Sequence, residues 1–267
     1  MGKLLGQIFK EDFKSIILWL LLPIASALMF LQLLNIFKDS PFLGIGMTIS
    51  MTLLTIGPLI ALGIAAKNDY ERFYGKNAAF YSALPLASSA ISGARLVGFI
   101  LLGILIAIVT FINYIILILV TSNLSIGDNL SIGELLDSIA NGIGQIGSNN
   151  VLALIITIFT IGLYLVNIIM LANTAGSTKL FGKKSKWAPI IIFLVLFFAL
   201  GMLSSKIQAS ALAEYVSSTF NYGPNNLEIS AELPSASMAF PIIINIVISA
   251  ILYGLTYYFH DKKLSVN

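Results

Sequence analysis

Apolar runs and polar intervals divide this chain more sharply than any motif does. Six stretches, at about 15–37, 43–66, 93–121, 150–174, 187–204 and 238–259, are almost wholly apolar. A helix needs ~20 such residues to cross a hydrocarbon core. The pattern predicts an all-α integral membrane protein, with six transmembrane helices in a single transmembrane domain spanning residues 1–267. Ahead of the first run, Leu4, Leu5, Ile8, Phe9 and Phe13 share a helical face beside Lys3, Lys10 and Lys14, which predicts an interfacial helix. The run from Ile16 to Phe37 is too long for the apolar region of a signal peptide, so it reads as a span. Pro23 and Gly57-Pro58 predict kinks in the first two spans.

The polar intervals carry their own periodicities. In 122–149, Ser131 and Glu134 form a capping box that starts a helix at Ile132, with Leu135, Leu136 and Ile139 on its apolar face. In 205–237, Ile207, Leu212, Tyr215, Val216 and Phe220 form a stripe that suits either a re-entrant external helix or one lying flat. The interval from Lys67 to Arg95 is the most distinctive. Tyr70, Phe73, Tyr74 and Tyr81 can share a helical face, while Asp69, Glu71, Arg72 and Lys76 point elsewhere. Leu84-Pro85 ends that helix, and Ser88 or Ser89 caps the next. The plain account is a short helix on the membrane surface; the sharper one is a docking helix that receives force from a soluble partner. Gly75 is placed to break the segment, in which case Asn77, Phe80 and Tyr81 form the docking piece and Tyr70 braces it.

Composition supports the membrane assignment: 58% hydrophobic, 10% charged, mean hydropathy +0.95, against about 25% charged in soluble domains. Charge then sets a predicted orientation. With the N-terminus inside, Lys3, Lys10, Lys14, Lys67, Arg72, Lys76, Arg95, Lys179, Lys183, Lys184, Lys186, Lys262 and Lys263 are cytoplasmic, thirteen of the fifteen basic residues. Only Lys38 and Lys206 fall outside, so both termini are expected in the cytoplasm of a multi-pass plasma-membrane protein. This lysine placement accounts for the basic balance, with the lipid bilayer and not nucleic acid as counterpart.

Several chemistries find no support. The chain has no cysteine and one histidine, His260, at the end of the last span. No phosphate-binding loop is present: Gly176 and Gly182-Lys183 are separated by five residues instead of four and follow a span instead of a strand. No charged residue lies in the middle of a run, which weighs against a proton-coupled transporter. The intramembrane polar residues are amides, and Asn113, Asn167 and Asn245 are the candidates for a substrate path, with interhelical hydrogen bonding as the alternative. Six spans, no internal energy source and a docking segment point to a membrane subunit driven by a separate ATPase.

At this point the chain resembles the permease subunits of ABC-2 type exporters. The resemblance covers the whole topology and is sharpest at Asp69–Leu96, where an acidic-aromatic helix is followed by Ser82-Ala83-Leu84-Pro85 and then Ile91 and Arg95. It implies an exporter of peptides, drugs or other amphipathic compounds, including bacteriocin export or immunity, built as a dimer with a second permease copy or paralogue. The chain would not itself be an enzyme or hold a cofactor; ATP and Mg would sit on the partner ABC ATPase. Asp69, Tyr70, Phe73, Tyr74, Asn77, Tyr81 and Pro85 would contact that ATPase. The competing expectations are a stand-alone secondary transporter or channel, and a non-transporting peptide-immunity scaffold.

Overall fold

The structure, a computed structural model, describes residues 2–37, 40–83, 87–125, 132–146, 148–178, 187–219 and 235–262. All the regular structure among them is helical: α1 (Gly2–Ile36), α2 (Pro41–Phe73), α3 (Ala78–Ser82), α4 (Ser88–Ser125), α5 (Ile132–Ile146), α6 (Ser148–Gly176), α7 (Ala188–Thr219) and α8 (Ser235–Lys262). Six of these, all but α3 and α5, are long and apolar enough to cross a membrane. The chain forms two compact units, Met1–Gly142 and Ile143–Asn267.

In the first unit, α1 packs against α2 and α4. Its buried positions recur every four residues, at Leu4, Ile8, Asp12, Ile16, Leu20 and Ile24. The stretch 2–14 is therefore not a separate interfacial helix: it continues into the first span without a break. Leu4 and Ile8 pack with Tyr81, Ile91 and Ala94, so protein takes the place of lipid on that face. Likewise α2 does not stop near residue 66 but runs on to Phe73. At ~1.5 Å per residue, the 35 residues of α1 reach about 52 Å, well beyond the ~30 Å of a hydrocarbon core. These helices are longer than a perpendicular crossing of the hydrocarbon core requires.

Small residues let the first-unit helices approach closely. Ala27, Ala61, Ala65 and Ala94 are fully buried. Pro23 and Pro58 lie inside continuous helices, and a Cβ on Gly57 would sit 3.3 Å from the Trp19 carbonyl oxygen. That carbonyl is the one Pro23 deprives of a helical donor.

In the second unit, α6 packs on α7 and α8 around Tyr164, Ile168, Leu171 and Leu252, with Phe193, Leu196 and Ile248 against them. Residues 207–219, expected to form a separate external helix, continue α7 instead. The turn expected at 222–225 lies outside the described residues.

Candidate functional site

The polar residues of the Lys67–Arg95 segment converge at one end of the first unit. The segment is not one helix. It turns after Phe73, and α3 begins at Ala78. Gly75 permits the turn, since a Cβ there would lie 2.8 Å from the Glu71 Cα. The backbone closes through Tyr74 N donating to the Tyr70 carbonyl at 2.8 Å and Asn77 N to the Glu71 carbonyl at 3.0 Å.

Two of the charged side chains set off from the aromatic face, Asp69 and Arg72, are buried. Arg95, fully enclosed on α4, donates from Nε to Asp69 Oδ1 at 2.8 Å and from Nη2 to Asp69 Oδ2 at 2.6 Å. Its Nη1 donates to the Tyr74 hydroxyl at 2.7 Å. The same guanidinium lies 5.1 Å from the Phe73 ring centre and 5.2 Å from that of Tyr74. A two-pronged carboxylate bond with aromatic faces on the guanidinium is the environment in which a desolvated arginine is best held.

One turn along α2, Arg72 reaches α1. Its Nη2 donates to Asp12 Oδ1 at 2.9 Å and to Glu11 Oε2 at 3.2 Å, and its Nη1 donates to Asp12 Oδ2 at 3.3 Å. Asn68 Nδ2 donates to the same Asp12 Oδ1 at 2.9 Å and to Ser15 Oγ at 2.8 Å. Burial is tolerable for a charge that finds an opposite charge and full hydrogen bonding. Here α1 and α4 supply both.

The aromatics are divided between inside and outside. Tyr81 is buried against Leu4, Ile8 and Ile91, and its ring lies tilted, 5.3 Å centre to centre, against that of Phe73. Its hydroxyl donates to Glu11 Oε2 at 3.5 Å. Burial and the neighbouring Glu11 carboxylate push the Tyr81 phenol up from its ordinary value, so it stays a donor. Tyr70, Phe73 and Tyr74 are half-buried, Asn77 is exposed, and Phe80 is 59% exposed. The expected four-residue aromatic face is thus mostly internal bracing, and Phe80 with Asn77 is the outward part. Pro85 lies outside the described residues.

The amides expected along a substrate path are all buried. Asn113 Nδ2 donates to the Leu20 carbonyl at 2.9 Å, an interhelical bond one turn before Pro23, and the residue also lines an apolar groove with Leu21, Ile24 and Ile116. Asn167 Nδ2 bonds the Leu163 carbonyl of its own helix at 2.8 Å, while its Oδ1 has no partner among the described residues. Asn245 is buried on α8.

Sequence reasoning did not single out Glu11, Asp12, Asn68, Arg72 and Ser15. Their signal was present: Asp12 occupies a position of the buried every-fourth stripe of α1, between Ile8 and Ile16. Among the described residues, no group of acidic or histidine side chains is arranged to hold a metal.

No protein-family model, curated protein or solved structure matches this chain.

Proposed function

We propose that this chain is the transmembrane permease subunit of an ATP-driven exporter of the ABC-2 kind, with a separate ATPase subunit docked on its cytoplasmic face. Its cargo class is peptides or amphipathic, hydrophobic compounds, moved out of the cytoplasm by a pair of permease copies in the plasma membrane. The observation that carries the proposal is the braced elbow. A span helix overhangs its apolar section, turns at Gly75 and presents α3 with Phe80 exposed, while ion pairs to α1 and α4 hold it from behind. A loop that merely lay on lipid would have no use for such bracing. Basic residues gather on the same side of the predicted topology, which supports a cytoplasmic elbow.

In this mechanism the ATPase pair closes on ATP, α3 moves with it, and the spans change access by rigid-body displacement. Interfaces concentrate binding energy in a few aromatic anchors, with losses of roughly 2 kcal/mol or more on truncation. Phe80→Ala and Phe80→Glu should abolish copurification of an ATP-hydrolysing partner while the variants elute and unfold like the native chain. The chain freed of every partner should hydrolyse no ATP. An ATPase that still binds Phe80→Glu, or hydrolysis by the chain alone, would overturn the assignment.

A further inference from the structure

The charges at the elbow are not required for apolar helices to associate. Buried ion pairs replaced by apolar side chains of similar volume are often no less stable, so stability does not account for five charges in one place. What the cluster supplies is geometry. Glu11 and Asp12 on α1 hold Arg72 from two sides. Asp69, one turn back on α2, holds Arg95 on α4. The two ends of the turn are tied in as well: Tyr74 accepts from Arg95, and Tyr81 on α3 donates to Glu11. The bonds form two sets, Arg72 with Glu11, Asp12 and, through Glu11, Tyr81 across α1, α2 and α3, and Arg95 with Asp69 and Tyr74 across α4 and the end of α2, and the helix α2 carries both. Apolar packing lets helices slide past one another, whereas a guanidinium fork fixes both distance and plane.

We propose that Glu11, Asp12, Asp69, Arg72 and Arg95 form a joint that makes α3 and the adjoining ends of α1 and α4 move as one body. A push on α3 then reaches two spans together and is not spent in bending the turn at Gly75. The inference rests on the reading of α3 as the partner's contact, but it adds the stretch 2–14 of α1 to the moving part. All five are assigned as positioning residues, acting through α3.

The chain has no native cysteine, so introduced pairs report distances cleanly. Lys10 on α1 and Lys76 in the turn are both exposed and suit spin labels, read by pulsed electron resonance on the full chain in lipid nanodiscs. The expected result is a single narrow distance in the otherwise native chain and loss of that narrow peak in Arg72→Gln. Arg72→Lys, which keeps the charge but not the fork, carries the same expectation if Arg72→Gln does not fold. A narrow, unshifted peak in the variant would overturn the joint. A second arm adds a non-hydrolysable ATP analogue to the chain with its copurified ATPase. There the Lys10–Lys76 distance should stay constant in the native background, and a nucleotide-driven change in it would also overturn the joint. If no ATPase copurifies, the functional reading of α3 fails, yet the nanodisc comparison still decides the joint.

Discussion

Arg95 shows how one residue's surroundings set the outcome of changing it. Its side chain and that of Asp69 are almost fully enclosed, at 0% and 3% exposure, so neither charge can turn to water when its partner is removed. Arg95→Ala should destabilise the chain by about 3–5 kcal/mol, the range for breaking a buried pair from one side. Arg95→Leu combined with Asp69→Leu should recover most of that loss, because no charge is then left unpaired. Thermal unfolding of the single and double variants in detergent measures both. The opposite sign is expected at Asn167, whose Oδ1 is buried with no partner among the described residues. Asn167→Leu should leave stability unchanged or raise it by up to about 1 kcal/mol, because an unsatisfied acceptor is removed. Loss of export in a stable Asn167→Leu protein would mark that amide as a contact for cargo. The pairing itself was hidden in the sequence for a specific reason. Charges at 69, 72 and 95 flank apolar runs, and helical periodicity places them relative to their own helix only. Which neighbour faces them is a tertiary fact.

Elements were legible where a pattern was long and were misjudged where two patterns met. The apolar runs became six helices at nearly the expected positions, because twenty or so apolar residues leave few alternatives. The junctions did not follow polarity. The amphipathic stretch 2–14 and the apolar run after it form one helix, and so do 43–66 and the polar residues up to Phe73. A change of side-chain character alone does not break a helix when nothing in the backbone stops it. Glycine does. The turn at Gly75 was legible as a weak point, and the chain turns there in a conformation that brings position 75 too close to the Glu71 backbone for a Cβ. Gly176 is the corresponding position in the second unit. A Cβ on it would lie 2.7 Å from the Pro189 nitrogen, and neither backbone atoms nor a proline ring can swing aside as a flexible side chain would. Gly176→Val should therefore force the end of α6 from the start of α7, at a cost of about 1–3 kcal/mol, the range for overpacking. Trp187, at that junction, supplies the readout: its emission should shift and the unfolding temperature should fall. An unshifted spectrum with native stability would show that the close approach is not required.

For the whole molecule, what remains to be placed is the membrane. Asp12 lies 24 residues before the end of α1, about 36 Å along the axis at ~1.5 Å per residue. That exceeds the ~30 Å hydrocarbon core, so with Ile36 at one surface the charge cluster sits at or beyond the other. Buried carboxylates and arginines are thus compatible with apolar spans because helix overhang takes them past the oily core. The same overhang fixes which residues report sidedness. Lys76, Asp137 and Trp187 are all exposed and lie in three different intervals between spans. With the bias of basic residues setting the orientation, Lys76 and Trp187 belong in the cytoplasm and Asp137 outside. Single cysteines at these three positions, in a chain that has none of its own, can be probed in intact cells with a membrane-impermeant maleimide. Only the cysteine replacing Asp137 should react before the cells are opened, and the other two should react once they are. Labelling of the Lys76 position from outside would reverse the orientation. It would remove α3 from the reach of any cytoplasmic ATPase, and the exporter proposal would fall even with the charged joint intact.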